Sequence, residues 1–273
     1  MSGRSFARLE VQLVWVALAL AGCHKDAPAT TTNSEPLKVA AAADLSFAFK
    51  DVGEAYEKAT GQKVVFSFGA TGLLEKQIAE GGPFDAFAAA NVSFADDAVK
   101  AGACLPDSKA IYATGHLVMF TTKDAAAQPK TVADLTDTRI SKIAIANPDH
   151  APYGMAAKKA LQTAGVWDKV QPKIVYGENV QQTLQFAQSG NADVAIVALS
   201  LATVTPGEWT QIPTTLHDPI DQAMVACSRG KAGPAAGRKF IEFVQSAEGR
   251  DIMRRYGFLL PGESLAATGT PKP

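Results

Sequence analysis

The sequence predicts an α/β protein of two lobes, each a mostly parallel sheet flanked by helices. From Leu37 onwards, short apolar runs alternate with segments of helical periodicity, an order typical of parallel sheets covered on both faces. The alternation restarts after an extended stretch at 112–122, which indicates a second sheet. The chain has 273 residues, 47% of them hydrophobic and 19% charged, enough for one large domain or two modest ones with full cores.

The first part of the chain is predicted to contain three strands and three helices in alternation. The strands are expected at 37–43, 64–68 and 84–90. The helices are marked by apolar residues at helical spacing, at Phe49, Val52 and Tyr56, at Leu74 and Ile78, and over 94–101.

The middle of the chain repeats this order after the extended stretch, which is interrupted at Gly115. Strands are expected at 143–146, 173–175 and 194–198, with helices at 155–164 and 180–189. A last strand at 222–227 precedes C-terminal helices marked by Phe240, Val244, Ile252 and Tyr256.

We expect the C-terminal helices to pack back on the first lobe. The first lobe would then be discontinuous, formed by 37–118 and 204–264, with the second lobe, 119–203, inserted into it. Residues 265–273 are mostly small or polar and are expected to form a loose tail.

The N-terminal segment has the features of an export signal. Arg4 and Arg8 precede an apolar run, 11–21, that is too short to span a bilayer as a stable helix. The run ends in Leu-Ala-Gly-Cys at Cys23, which resembles a bacterial lipobox. We therefore interpret 1–23 as a lipoprotein signal peptide with Cys23 as the lipidation site. A plain signal peptide with an incidental cysteine is the alternative.

Residues 24–36 are polar and lack apolar periodicity, so we interpret them as a tether behind the anchor. The expected location is the periplasm, with membrane attachment only through the lipid on Cys23. The formal net charge of −1 gives no general attraction to nucleic acid, and no basic stripe or stacking aromatic motif is present in the sequence. No nucleic-acid partner is expected.

Two further cysteines, Cys104 and Cys227, remain once Cys23 is set aside. In an oxidising compartment such a pair can form a disulfide, and two buried thiols are the alternative. Their separation in sequence does not decide between these, because the bond depends on the distance between the two Cα atoms in space.

Four predicted helix starts carry small or turn-forming residues, two in each lobe. They follow strand ends, where open α/β sheets collect ligands and where unsatisfied N–H groups favour an anion. The four segments are AADLS at 42–46, GATG at 69–72, PYG at 152–154 and ENV at 178–180. They could enclose a small tetrahedral anion between them. The alternative is that they are simply well-capped helices.

At these residues the chain resembles the periplasmic molybdate-binding proteins of ABC importers, which have the type II periplasmic binding protein fold. The blocks that carry the resemblance are KVAAAADLSFAF, VVFSFGATGLLEKQIAEGGPFDAFAAA, ATGHLVMF, IAIANPDHAPYGMAAKKAL, GENVQQTLQFAQSGNADVAIVALS and RRYGF, between 37 and 258. The resemblance implies a solute-binding protein without a cofactor that captures molybdate or tungstate. Its partners would be an inner-membrane permease and its ATPase, and we expect a monomer.

The resemblance also implies five residues for the oxyanion site. Ala43 or Asp44 would meet the anion through a backbone N–H, with the side chain as a further contact. Thr71 matches a hydroxyl residue that bonds an anion oxygen. Tyr153 matches a ligand-contacting tyrosine of one branch of the family, and Val180 matches a backbone N–H donor.

Asp44 departs from the family pattern, which has Ser or Asn at this position. A carboxylate about 6 Å from a dianion would cost several kcal/mol even at an effective dielectric constant of about 20. Asp44 could turn away to cap its helix and leave only its N–H for the ligand, it could be protonated, or the ligand could differ. We favour the first explanation, since Asp is a strong N-cap residue.

A hydrolytic enzyme is the hypothesis from a different class. The histidines beyond the tether are His116, His150 and His217, none in a metal-ligand spacing, and we expect no site for a free metal cation. No GxSxG nucleophile motif is present in the sequence. The carboxylates near loop ends that could form an acid/base pair are Asp85, Asp149 and Glu178.

In two further hypotheses the protein is still exported, but its ligand differs or is absent. One is the same fold with sulfate, phosphate or a small organic anion, since selection among such anions depends on cavity size and on whether the anion carries a proton. The second is a structural surface lipoprotein without a ligand. For a binding protein we expect the lobes to close by hinge motion near 118–120 and 200–205.

Overall fold

The structure is a computed structural model that describes residues 35–263. The predicted signal peptide with Cys23, the tether up to residue 34 and the C-terminal tail lie outside these residues. Within the described part, no helix is long and apolar enough to cross a membrane.

The described chain contains ten strands, numbered in chain order. They are β1 Leu37–Ala42, β2 Val64–Gly69, β3 Ala86–Ala89, β4 Ala110–Gly115, β5 Leu117–Thr121, β6 Ile143–Ala146, β7 Ile174–Gly177, β8 Val194–Ala198, β9 Glu208–Gln211 and β10 Ile220–Ala226.

Nine α-helices are described, and five short 3₁₀ turns accompany them. The helices are α1 Ala48–Thr60, α2 Thr71–Ala79, α3 Val92–Lys100, α4 Pro152–Thr163, α5 Trp167–Val170, α6 Val180–Gln188, α7 Leu199–Ala202, α8 Pro234–Gln245 and α9 Ala247–Arg255. The 3₁₀ turns are Ala43–Leu45, Pro106–Ser108, Val132–Thr136, Gln171–Lys173 and Thr214–Leu216.

The strands form two five-stranded mixed sheets with matching plans. The first has the order β2-β1-β3-β10-β4 and the second β7-β6-β8-β5-β9. In each, three neighbouring strands run parallel, and the last two join antiparallel. Helices flank both sheets, so the predicted two-lobed α/β class is confirmed.

The lobe boundaries lie elsewhere than the sequence predicts. Strand β5 pairs with β8 and β9, so Leu117, Val118 and the segment Glu208–Gln211 belong to the second sheet. The chain therefore crosses between lobes at His116 and again between Gln211 and Ile220. The predicted boundaries at 118/119 and 203/204 differ from these crossings, because β5 and β9 belong to the second sheet. The predicted hinge segments, 118–120 and 200–205, overlap β5 and α7. Strand β9 is a short, half-exposed edge strand without an apolar run, which is why the sequence pattern missed it.

The C-terminal helices pack on the first lobe through aromatic side chains. Phe240 of α8 makes edge-to-face contacts with Phe49 and Tyr56 of α1, at centroid distances of 5.8 and 5.3 Å. All three rings are buried. Such contacts add to the apolar burial that holds a returning helix in place. In the same lobe, a disulfide joins Cys104 to Cys227, tying the chain ahead of β4 to the end of β10.

Candidate functional site

A pocket lies where the two lobes meet, beyond the carboxyl ends of the parallel strands. Its empty volume is about 200 Å³, counting the space that opens to solvent. The residues that line it are Ala43, Asp44, Gly69, Ala70, Thr71, Ala151, Pro152, Tyr153, Asn179 and Val180. The structure thus brings the five sequence-predicted site residues together, from four helix or turn starts. None of these lining residues, all of them within 35–263, is Lys or Arg.

Backbone N–H groups at two of these helix starts have no acceptor among the described residues. Asn179 caps α6 by accepting from the N–H groups of Gln181 and Gln182, each at 3.0 Å, and this leaves the N–H of Val180 for a ligand. The N–H of Thr71 at the start of α2 is also unused within 35–263. Such amides favour an anion, because the helix dipole adds to the partial positive charge of the free N–H groups.

The hydroxyl group of Thr71 is placed to donate as well. Its Oγ1 accepts a hydrogen bond from the N–H of Ala90 at 3.3 Å, so the hydroxyl hydrogen remains available. Thr71 is buried in the pocket wall, where a donor without a partner is unfavourable. A ligand oxygen would satisfy it.

Asp44 is at the centre of a buried hydrogen-bond network that spans the lobes. Its Oδ2 accepts from the hydroxyl of Tyr153 at 3.0 Å and from Nε2 of Gln222 at 2.6 Å. Oε1 of Gln222 in turn accepts from the hydroxyl of Tyr112 at 2.6 Å. Tyr153 comes from the second lobe and the other three residues come from the first.

Two further hydrogen bonds hold the lobes together around the pocket. The hydroxyl of Ser200 donates to the backbone carbonyl of Asp44 at 2.7 Å, and the N–H of Gly72 donates to the carbonyl of His150 at 2.9 Å. The lobes are therefore in contact across the pocket, and closure buries Asp44, Thr71 and Tyr153 almost completely.

Residues 37–259 match the family of bacterial extracellular solute-binding proteins. The chain belongs to this family. It is 35% identical over 222 residues to the molybdate-binding protein ModA of Rhodobacter capsulatus, covering 81% of this chain and 86% of that protein. It is 28% identical over 246 residues to the putative ABC transporter substrate-binding lipoprotein YvgL of Bacillus subtilis strain 168, covering 88% and 93%.

A solved structure has a fold similar to that of this solute-binding protein. The periplasmic molybdate-binding protein of Azotobacter vinelandii is similar with a TM-score of 0.75 and 30% sequence identity, over 82% of this chain and 99% of that one. The predicted family resemblance and the predicted two-lobed type II fold are thereby confirmed. Two of these relatives are named molybdate-binding proteins, and the third is named a putative substrate-binding lipoprotein of an ABC transporter.

The capping explanation for Asp44 is wrong in this solute-binding protein. The turn Ala43–Leu45 has Ala42 as its N-cap and no side-chain capping bond, and α1 begins without one too. The carboxylate is directed instead to Tyr153 and Gln222, since these two donors are buried beside it. The Tyr153 hydroxyl, which the resemblance implies as a ligand contact, donates its hydrogen to Asp44 here.

The environment of Asp44 makes its charge costly. Burial raises the pKa of this carboxyl from 3.8 to about 6, although the hydrogen bonds from Gln222 and Tyr153 oppose the shift. Its second oxygen, Oδ1, is buried without a hydrogen-bond partner among the described residues. Burial and the nearby Asp44 also raise the pKa of Tyr153 well above its usual value, so this phenol stays neutral.

Sequence reasoning missed Tyr112, Ser200 and Gln222 as parts of the site. Gln222 carries a signal in retrospect, because it is a polar residue at a fully buried position of an apolar strand. Such a residue needs hydrogen-bond partners, and these point to a polar network nearby. Tyr112 and Ser200 carry no comparable signal.

Asp85 does not meet the other two carboxylates considered for an acid/base pair, Asp149 and Glu178. Asp85 accepts from the backbone N–H groups of Lys38 and Gly233, at 2.8 and 2.7 Å, near the amino end of β1. The pocket lies beyond the carboxyl end of that strand, so Asp85 is structural and far from Asp149 and Glu178 in the second lobe. Within 35–263, no group of three or more His, Cys, Asp or Glu residues could hold a metal ion.

Proposed function

We propose that this solute-binding protein captures a tetrahedral oxyanion, molybdate or tungstate, in the pocket between its lobes and delivers it to an ABC importer. The observation that carries the proposal is the convergence of amide and hydroxyl donors from both lobes on one pocket, in a member of this family. The relatives named molybdate-binding proteins favour these anions over sulfate or phosphate.

The donors fit a fully deprotonated oxyanion. The donors are the N–H groups of Thr71 and Val180 and the hydroxyl of Thr71. An anion with four acceptor oxygens satisfies all three, and it carries no hydrogen that would need an acceptor in the pocket. The charge is balanced by aligned backbone dipoles rather than by a cationic side chain. In a buried pocket these hydrogen bonds are stronger than in water.

Ligand binding is coupled to lobe closure in this proposal. The anion binds Thr71 on the first lobe and Val180 on the second, so its binding free energy favours the closed arrangement over an open one. The crossings at His116 and between Gln211 and Ile220 are the segments about which the lobes turn. The closed monomer then docks on the permease, without catalysing a reaction.

Calorimetric titration of the purified protein with molybdate, tungstate, sulfate and phosphate tests the proposal. We expect molybdate and tungstate to bind far more tightly than sulfate and phosphate. The variant Thr71→Val should lose at least about tenfold in affinity, because it lacks one hydrogen bond to a charged group. Thr136→Val, at an exposed threonine, is the matched control. Tightest binding of sulfate or phosphate would keep the fold and replace the proposed ligand.

A thermal melt with each anion separates the proposal from a purely structural lipoprotein. At a concentration about one hundred times its dissociation constant, a ligand adds about 2.7 kcal/mol to the stability of the folded state. No shift with any of the four anions would favour the structural role.

We further propose that the protein is exported and anchored in the periplasm through lipid on Cys23. The support is the lipobox-like motif, together with the relative named a lipoprotein. Metabolic labelling with a clickable fatty acid should mark the wild-type protein and not the variant Cys23→Ala. Equal labelling of both would refute the anchor while leaving the binding function intact.

A further inference from the structure

We propose that anion capture takes up one proton, which is carried by Asp44 so that its Oδ1–H donates a hydrogen bond to the bound anion. The inference rests on the proposed function and deepens it, because it makes the affinity for the oxyanion depend on pH through one residue.

The two carboxylate oxygens of Asp44 have different surroundings. Oδ2 accepts both available hydrogen bonds, from Tyr153 and from Gln222. Oδ1 is buried and accepts none within the described chain, although Asp44 lines the pocket. An oxygen that lacks a donor, on a residue that lines the anion site, is the position that a proton would occupy. A protonated carboxyl keeps Oδ2 as the acceptor and turns Oδ1 into a donor.

Among residues 35–263, no positive charge near Asp44 offsets its negative charge. The ionisable groups that face it are the phenols of Tyr153 on α4 and of Tyr112 on β4, the latter through Gln222. Asp221, the neighbouring acid on β10, is hydrogen bonded to Thr114 instead.

The other elements that pack around this turn add no ionisable side chain. β2, α6 and α7 contain none, and Lys38 on β1 lies at the far end of its strand. Asp44 takes part in no ion pair among residues 35–263. An ionised Asp44 would therefore meet the dianion without compensation.

Burial in the closed arrangement of the lobes raises the pKa of Asp44 to about 6. A dianion beside the carboxyl raises this pKa further, because like charges disfavour ionisation. Binding then takes up a proton whenever the free protein has Asp44 ionised, which is the case above about pH 6. By linkage, the affinity falls about tenfold for each pH unit above that value and is constant well below it.

Two measurements on the purified protein test this inference with molybdate as the probe. The dissociation constant, measured from pH 6 to pH 9, should rise about tenfold per unit above the pKa of Asp44. Calorimetry at pH 8 in two non-coordinating buffers of different ionisation enthalpy should show uptake of about one proton per anion.

The variant Asp44→Asn should bind molybdate with an affinity that does not change across this range. Its amide keeps an acceptor for Tyr153 and Gln222 and places a permanent N–H donor where the proton would be. At pH 8 it should bind tighter than the wild type. The control Glu178→Gln removes an exposed carboxyl beside the pocket and should retain the wild-type pH dependence.

The outcomes separate this inference from the function on which it rests. Tight molybdate binding by the wild type with a constant affinity and no proton uptake would overturn the role of Asp44 and leave the binding function standing. No binding of any oxyanion at any pH, by wild type or by Asp44→Asn, would overturn both. If the Asn variant does not fold, the two-buffer measurement on the wild type still decides.

Discussion

The hydroxyl of Tyr153 donates a hydrogen bond to Oδ2 of Asp44 at 3.0 Å, and the two residues belong to different lobes. This contact places a tyrosine from the start of α4 against the turn that follows β1. It is possible because residue 115 lacks a side chain, and the Tyr153 hydroxyl occupies the space that a Cβ there would need. Lobe closure and the state of the Asp44 carboxyl are therefore linked through one phenol group.

The variant Gly115→Ala should hinder closure of the lobes. Its added methyl group would overlap the Tyr153 hydroxyl and contact Nε2 of Gln222. We expect at least a tenfold loss of molybdate affinity, with the free energy of unfolding changed by less than about 1 kcal/mol because the lobes can separate. Titration calorimetry and urea denaturation measure the two quantities. Undiminished affinity would show that Tyr153 is not needed in this position.

Replacing Asp44 by Asn should stabilise the ligand-free protein at pH 8. The folded-state pKa of about 6 exceeds the unfolded value of 3.8, so the native state binds more protons between these values. Its stability therefore falls as the pH rises through this window, by up to about 3 kcal/mol at 1.36 kcal/mol per unit. Urea denaturation should show a gain for the variant at pH 8 that is absent at pH 4. A gain of equal size at both values would contradict this explanation.

His116 should make the protein less stable in mild acid. It is buried at the crossing between β4 and β5, its Nδ1 has no partner among the described residues, and burial and then His217 lower its pKa. The unfolded chain therefore binds more protons, and the stability present above the unfolded pKa of about 6.5 is lost as the pH falls below it.

The variant His116→Gln tests this by urea denaturation at pH 7.5 and pH 5. The fall in stability between the two values should be smaller in the variant than in the wild type. His150→Gln, at a half-exposed histidine, should behave as the wild type does. An unchanged fall in His116→Gln would assign the acid sensitivity to other groups.

The disulfide between Cys104 and Cys227 should stabilise the first lobe. It closes a loop with a sequence separation of 123 residues, for which chain entropy suggests about 3 to 5 kcal/mol. The double variant Cys104→Ala, Cys227→Ala should lose stability in this range under oxidising conditions. Addition of a reductant should destabilise the wild type and leave the double variant unchanged. Equal stability of wild type and variant would mean that the bond contributes nothing.

Local patterns determined much of the architecture. The predicted strands 143–146 and 194–198 coincide with β6 and β8, and the residues at helix starts, Thr71 and Val180, are the first residues of α2 and α6. Apolar runs and helix-start residues act on neighbours in the chain, so they can be interpreted without knowledge of distant contacts. The same applies to the alternation of strands and helices that predicted two α/β lobes.

Tertiary structure decided what local patterns cannot contain. Strand β9 exists because β5 offers it an edge, and this pairing moves the lobe boundary. Asp44 is 109 positions from Tyr153 and 178 from Gln222 in the sequence. It does not cap a helix as expected, because its carboxylate accepts hydrogen bonds from these two distant donors. A buried carboxylate needs hydrogen-bond partners, because burial makes an unpaired charge costly. Here the partners come from distant parts of the chain, and no spacing along the sequence specifies them.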